Sequence, residues 1–427
     1  MTTTRLQGSS TSPLSTPAVP NRKVQGTFRL LAALYISQAI PLGFFIEAVP
    51  AIGRSLGLSL STIGMVQVLA LPFLIKFLWA PVIDAYGSPR IGHYRSWLLP
   101  LQTLSVMAVF ALAWLDPKSQ PWLLLVVGGI FLVLASTQDI ATDGLAIRLL
   151  QPGNRGIGNG IQVGGYYLGQ ILGGGLMLIL LSHYGWRRAL CAMALLMAIP
   201  LLPVVGFREP ARIPTQGGNA PTRKVDFAAL GRFFQQPGHR IWVAILILYR
   251  AGDAMAVTMA KPLMVDLGLS LAQIGLIIGL GSSICALAGA LTGGSLVGRL
   301  GHRRALITFA LLQSLAILGY LLPAQGFDSL GIIWGVAMTT AFAGGVATTA
   351  LYTHMMDASS ARSGGTDFTL QQSLAVLGPL VGASLSGLLA QAIGYSWHFV
   401  GCSAVGVASA ALVFFCLKER PTRDRVA

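Results

Sequence analysis

The chain has 427 residues, 54% hydrophobic and only 10% charged, with a formal net charge of +15. Soluble domains carry about 25% charged residues, so this balance excludes a soluble enzyme and indicates an all-α polytopic membrane protein. The four cysteines, Cys191, Cys285, Cys402 and Cys416, lie singly in apolar runs, which argues against a disulfide framework or a thiolate metal site.

Residues 1–26 are rich in Ser, Thr and Pro and carry Arg5, Arg22 and Lys23. They read as a disordered tail rather than a cleaved signal peptide, because no apolar core follows the charges. Apolar runs long enough to cross about 30 Å of hydrocarbon follow near 28–50, 61–83, 97–115, 122–146, 157–182 and 187–206. A second set lies near 241–262, 271–297, 304–323, 329–353, 368–392 and 397–416. The expected organisation is twelve transmembrane helices in two six-helix bundles, 27–206 and 241–417, with a linker at 207–240 and a tail at 418–427. The linker is polar and basic, and a solvated segment is the favoured reading. Within it, Asp226-Phe-Ala-Ala-Leu-Gly-Arg-Phe-Phe234 is the stretch that could form a short surface helix.

In helix 1, Gln38 and Glu47 sit in an apolar run broken by Pro41 and Pro50. Lys76 on helix 2 is expected either to snorkel along its alkyl stem or to neutralise an acid such as Asp139 or Asp84. The fourth run ends in Gln138-Asp-Ile-Ala-Thr-Asp143. Residues four apart share a helix face, so Asp139 and Asp143 look at the same neighbour. Ionisable side chains in lipid cost roughly 2.5–3.5 kcal/mol on insertion scales and face a bundle interior or wet cavity. Helix 4 is therefore a candidate wall of a transport pathway. Helix 5 carries the glycine-rich run 164–175, read as close helix packing. Helix 7 holds Tyr249, Arg250 and Asp253; Arg250 is placed either in an intrahelical pair with Asp253 or across the cavity from Asp139. Lys261 is expected to snorkel. Helix 10 offers Tyr352 and His354.

Most of the 29 Lys and Arg fall in the two tails, the linker and alternate loops. The positive-inside rule then puts both termini in the cytoplasm and accounts for the basic balance without nucleic acid. No nucleophile, metal or phosphate-loop constellation is visible, so neither an enzyme nor a resident cofactor or metal is expected. Nothing indicates oligomerisation, and a monomer in the lipid bilayer is expected.

The halves repeat. Gly294-Ser-Leu-Val-Gly-Arg-Leu-Gly-His-Arg-Arg304 follows helix 8, and Trp79-Ala-Pro-Val-Ile-Asp-Ala-Tyr-Gly-Ser-Pro-Arg-Ile-Gly-His-Tyr-Arg95 follows helix 2. The first resembles the major facilitator superfamily signature G-x-x-x-D-R-x-G-[RK]-[RK]-[RK], with Gly298 in place of the acid; the second keeps Asp84. The resemblance implies the major facilitator fold, with helices 1, 4, 7 and 10 around a central cavity. It also implies a gate network at the cytoplasmic end, here assigned to Lys76, Asp84, Arg95, Arg299 and Arg303. The segments 76–84, 138–143 and 248–254 are similar to the muropeptide-permease branch, and within it to siderophore permeases of the rhizobactin and pyochelin uptake type. The expectation is a bacterial inner-membrane importer of a ferric siderophore, driven by protons through alternating access. The alternatives are a muropeptide permease of the same branch or an exporter of a small molecule. The implied substrate-binding or proton-coupling residues are Glu47, Gln138, Asp139, Asp143, Tyr249, Arg250, Asp253 and Tyr352.

Overall fold

A computed structural model describes residues 22–49, 52, 71–117, 119–210, 225–236, 238–360 and 363–417. Most of the N-terminal tail, the first half of helix 2, the linker stretch 211–224 and the C-terminal tail lie outside these residues. The described chain is almost wholly helical. Eight described segments are long and apolar enough to cross a membrane. Two of them, Pro152–Gly206 and Gly364–Cys416, run to 55 and 53 residues, about 80 Å at 1.5 Å per residue. No bilayer accommodates that as one span. Each divides at a glycine with positive φ, Gly185 (φ 78°) and Gly394 (φ 77°), a conformation that side chains with a Cβ rarely adopt.

The helices are α1 (Arg22–Gly43, continued by a π-turn Phe44–Ala48), α2 (described over 71–85), α3 (Arg95–Leu112) and α4 (Pro121–Leu149). Next come α5 (155–184), α6 (186–198, followed by Leu201–Gly206), α7 (239–266), α8 (271–300) and α9 (His302–Leu318). The last three are α10 (Leu330–Ala358), α11 (364–393) and α12 (395–416). Helix α1 starts at Arg22, inside the segment read as a tail. Backbone hydrogen bonding carries a helix past its apolar run, whereas hydropathy marks only the part in hydrocarbon. The linker also contains a helix, Ala228–Gln235, which buries Ala229 and Phe233. The solvated-linker expectation fails there because Phe233 packs in one core with Trp242 and Ile245.

The distribution of core residues shows where the two halves are joined among the described residues. Away from the linker, α1, α3, α4, α5 and α6 share a core around Phe44, Phe131 and Met193. The second half has its own core there, around Met264, Tyr320 and Phe399. At the linker end one core runs through both halves, from Leu31, Tyr35 and Ile147 to Trp242, Leu306, Met355 and Phe368. Among the described residues, the buried core shared by both halves lies at the linker end.

Glycines permit the closest approaches. A Cβ on Gly156 of α5 would stand 2.5 Å from the Gly294 carbonyl of α8, and one on Gly160 2.9 Å from that of Ala290. Within the first half, a Cβ on Gly173 would stand 1.7 Å from the carbonyl oxygen of Ile40, whereas one on Gly175 would meet nothing within 4 Å. Gly173→Ala is therefore expected to destabilise the first half by about 1–3 kcal/mol through overpacking, and Gly175→Ala to change stability by under about 0.5 kcal/mol. Thermal unfolding of the two purified variants checks this. Equal shifts would mean that helix propensity, rather than contact, sets the effect.

Candidate functional site

The charges on α4 are collected by three neighbouring helices. Lys76 on α2 makes an ion pair with Asp139 Oδ2, and Gln38 of α1 donates from Nε2 to Asp139 Oδ1. Helix α2 changes from α to a 3-10 turn at Lys76–Leu78, which re-aims the lysine in mid-span. One turn along α4, Asp143 is fully buried. Its Oδ1 accepts hydrogen bonds from the Tyr35 hydroxyl at 2.9 Å and Gln162 Nε2 at 2.8 Å, while no close hydrogen bond reaches its buried Oδ2 among the described residues, although the Gln372 side chain also stabilises the carboxylate's charge. One ammonium group thus neighbours two carboxylates, paired with Asp139 and not with Asp143. With both carboxylates ionised, the Lys76, Asp139 and Asp143 side chains together carry one net negative charge. Gln138 lies on the same helix, buried, with an unpartnered Nε2.

The cluster reaches into the second half. Lys76 Nζ also donates to Gln372 Oε1 of α11 at 2.6 Å. Nearer the linker end, Asp84 accepts from the Tyr94 hydroxyl at 2.8 Å and from both the amide and hydroxyl of Thr366, each at 2.7 Å. Thr366 is in the first turn of α11, so the carboxylate meets the positive end of a helix dipole and one of its free amides. Arg155 of α5 pairs with Asp357 of α10 at 2.7 Å, and His302 Nε2 lies 3.0 Å from the other oxygen of that carboxylate. These bonds, like the shared core, tie the halves at the linker end.

The structure separates the remaining members of the expected gate network. Arg95 donates to the carbonyls of Val204 and Val205, within its own half. Arg303 binds the Phe414 carbonyl and lies over its ring, within the second half, and Arg299 is exposed. In place of Arg95, Arg299 and Arg303, the bonds across the halves at this end come from α2 with α11 and α5 with α10. Glu209, absent from the sequence expectations, holds the first half together here. It pairs with Arg148 and accepts the backbone amides of Tyr94 and Arg95 at 2.9 and 3.0 Å.

A cavity of about 740 Å³ lies between α5 of the first half and α7, α8 and α10 of the second. Helix α7 breaks at Arg250 (φ −109°, ψ 0°), and Arg250, Asp253 and Lys261 line the cavity. Arg250 Nη2 donates to Asp253 Oδ2 at 3.1 Å, so of the two placements offered for Arg250 the structure has the intrahelical one; Asp139 is taken by Lys76. Lys261, expected to snorkel, lines the cavity about 16 Å farther from the linker end, at 1.5 Å per residue. Tyr249 turns the other way, its hydroxyl donating to the Leu306 carbonyl at 2.9 Å. Tyr352 of α10 packs edge-on against the Phe368 ring of α11. Glu47 lies on the π-turn after α1, and its side chain is outside what the structure describes. Among the described residues no group of His, Cys, Asp and Glu could hold a metal ion.

The sequence matches the family model for the Major Facilitator Superfamily over residues 31–366 and 243–427. It is 28% identical over 391 residues to the anhydromuropeptide permease of Escherichia coli (strain K12), spanning 91% of this chain and 79% of that permease. Among solved structures it resembles the human organic anion transporter MFSD10 (TETRAN), with a TM-score of 0.70 and 17% identity over 92% of this chain and 100% of that one. It also resembles the transporter FucP in the outward conformation, with a TM-score of 0.66 and 16% identity over 92% of this chain and 99% of that one.

Proposed function

Because the chain belongs to the Major Facilitator Superfamily, we propose that it imports an anhydromuropeptide across a bacterial inner membrane by proton-coupled alternating access. The observation that carries this reading is a cavity of about 740 Å³ between halves that share a core and hydrogen bonds at the linker end. That volume lies within the range of about 300–1,000 Å³ usual for small-molecule sites. With the linker end taken as cytoplasmic, the cavity loads from the periplasm.

Coupling then follows from charge. A proton taken by Asp143 balances the two carboxylates against Lys76 and lowers the cluster's demand on the lysine. The Lys76–Gln372 bond is then free to break, and α2 separates from α11 as the halves rock. Release of the proton to the cytoplasm restores the starting charge. Both halves of one chain enclose the cavity, so a monomer is sufficient for the cycle.

The identity to an anhydromuropeptide permease favours this substrate over the ferric siderophore expected from the sequence wording, and the siderophore reading draws no support from these relatives. The test is uptake of radiolabelled anhydromuropeptide by deletion-strain cells with and without the chain, in the presence and absence of a protonophore. Chain-dependent uptake stopped by the protonophore is expected. Uptake of a ferric siderophore instead, with none of the anhydromuropeptide, would overturn the substrate assignment and leave the coupled transporter.

A further inference from the structure

Arg250 and Asp253 use little of their hydrogen-bonding capacity on each other. A guanidinium has five N–H donors, and one bond of 3.1 Å joins it to the carboxylate. Arg250 Nε is buried with no partner. Asp253 accepts this bond at Oδ2, while Oδ1 takes no hydrogen bond among the described residues. Both residues line the cavity wall. A pair serving only to hold α7 straight would not interrupt the helix, yet the break falls at Arg250 itself. Gly252, between them, lies so close to α12 that a Cβ there would stand 2.2 Å from the Cys402 carbonyl, so the segment presenting the pair is held firmly.

An unsatisfied donor face beside an unsatisfied acceptor, one α-helical turn apart, is complementary to a group of the same two charges reversed. We infer that the pair is a receptor for a zwitterionic amino-acid head group. The carboxylate of that group is held by Arg250, and its ammonium is held by Asp253 Oδ1. A simple anion would meet the Asp253 charge, and a simple cation that of Arg250; a zwitterion meets neither. The inference rests on the permease reading and deepens it. A stem peptide ending in a diamino acid carries a free carboxylate and a free ammonium on one carbon, and that tip is the part assigned to the pair.

The experiment compares three forms of one radiolabelled anhydromuropeptide in cells expressing the full chain: tip free, tip ammonium acetylated, and tip carboxylate amidated. Charge-assisted hydrogen bonds of this kind are worth about tenfold or more in affinity. Each capped form is expected to lose at least about tenfold in apparent affinity relative to the free tip. Asp253→Asn is expected to remove the discrimination against the acetylated form only, and Arg250→Gln that against the amidated form only. Equal uptake of all three forms by the unmodified chain overturns the receptor and leaves the permease standing. No uptake of any form, including the disaccharide without a stem, overturns the permease reading and the receptor with it.

Discussion

Asp143→Asn is expected to abolish accumulation of substrate against a gradient while leaving exchange of substrate across the membrane intact. Asparagine keeps the shape of the side chain and an oxygen to accept from Tyr35 and Gln162, which bind the same carboxylate oxygen, Oδ1. Its amide nitrogen takes the place of Oδ2, the atom that no close hydrogen bond reaches among the described residues. No ion pair to Asp143 is broken, because Lys76 is engaged by Asp139 and Gln372. The variant is therefore a permanent copy of the protonated form: it folds and rocks but carries no proton. In proteoliposomes with an imposed proton gradient, accumulation is expected to fall from many-fold to about one, the value for facilitated diffusion. Counterflow from substrate-loaded vesicles is expected to stay within about threefold of the unmodified chain. Gradient-driven accumulation by this variant would remove Asp143 from the coupling step.

Lys76→Met is expected to be the most destabilising single change in the cluster. The lysine is buried, with a side chain only 4% exposed, and its loss leaves two carboxylates without a cation in the membrane interior. Removing one member of a buried pair costs about 3–5 kcal/mol, because the remaining charge is uncompensated. The double change Lys76→Met with Asp139→Asn removes both charges and is expected to recover most of that stability. The two residues are in contact, so their effects should be far from additive. Transport separates structure from coupling: the double variant is expected to fold and still fail at uphill uptake, since the Lys76–Gln372 bond that joins the halves is gone. Recovery of both stability and proton-driven uptake would make the pair a structural device only. Thermal unfolding and uptake measured on the unmodified chain, the Lys76→Met and Asp139→Asn variants and the double variant decide between these outcomes.

Much of the site was legible because charges in hydrocarbon stand out. Asp139 and Asp143 were marked by their position at the end of an apolar run, and Lys76, Arg250 and Asp253 by the same contrast. Their partners were less visible. Lys76 could be seen as a cation in want of an acid, but the choice of Asp139 over Asp84 depends on the 3-10 turn that re-aims it. Asp84 binds Thr366, 282 positions later, partly through a backbone amide that every residue except proline carries. No residue-type signal could have picked it out. Gln372 is a glutamine within the apolar span of α11, a helix that the resemblance does not place around the central cavity. Glu209 lay in a segment read as linker, and its role as a cap for α3 arises from where α6 ends.

The sequence by itself determined that the chain spans a membrane, that its two halves repeat, and which helices carry buried charge. These properties are local: each follows from hydropathy and charge along a run of about 20 residues. Only the tertiary structure decided which charges pair, where the two halves are joined, and that Arg250 and Asp253 face a cavity with bonds to spare. Those depend on how the two halves approach each other, and the contacts that set the approach, glycine against carbonyl in α5 and α8 and a carboxylate against the start of α11, join residues far apart in the chain.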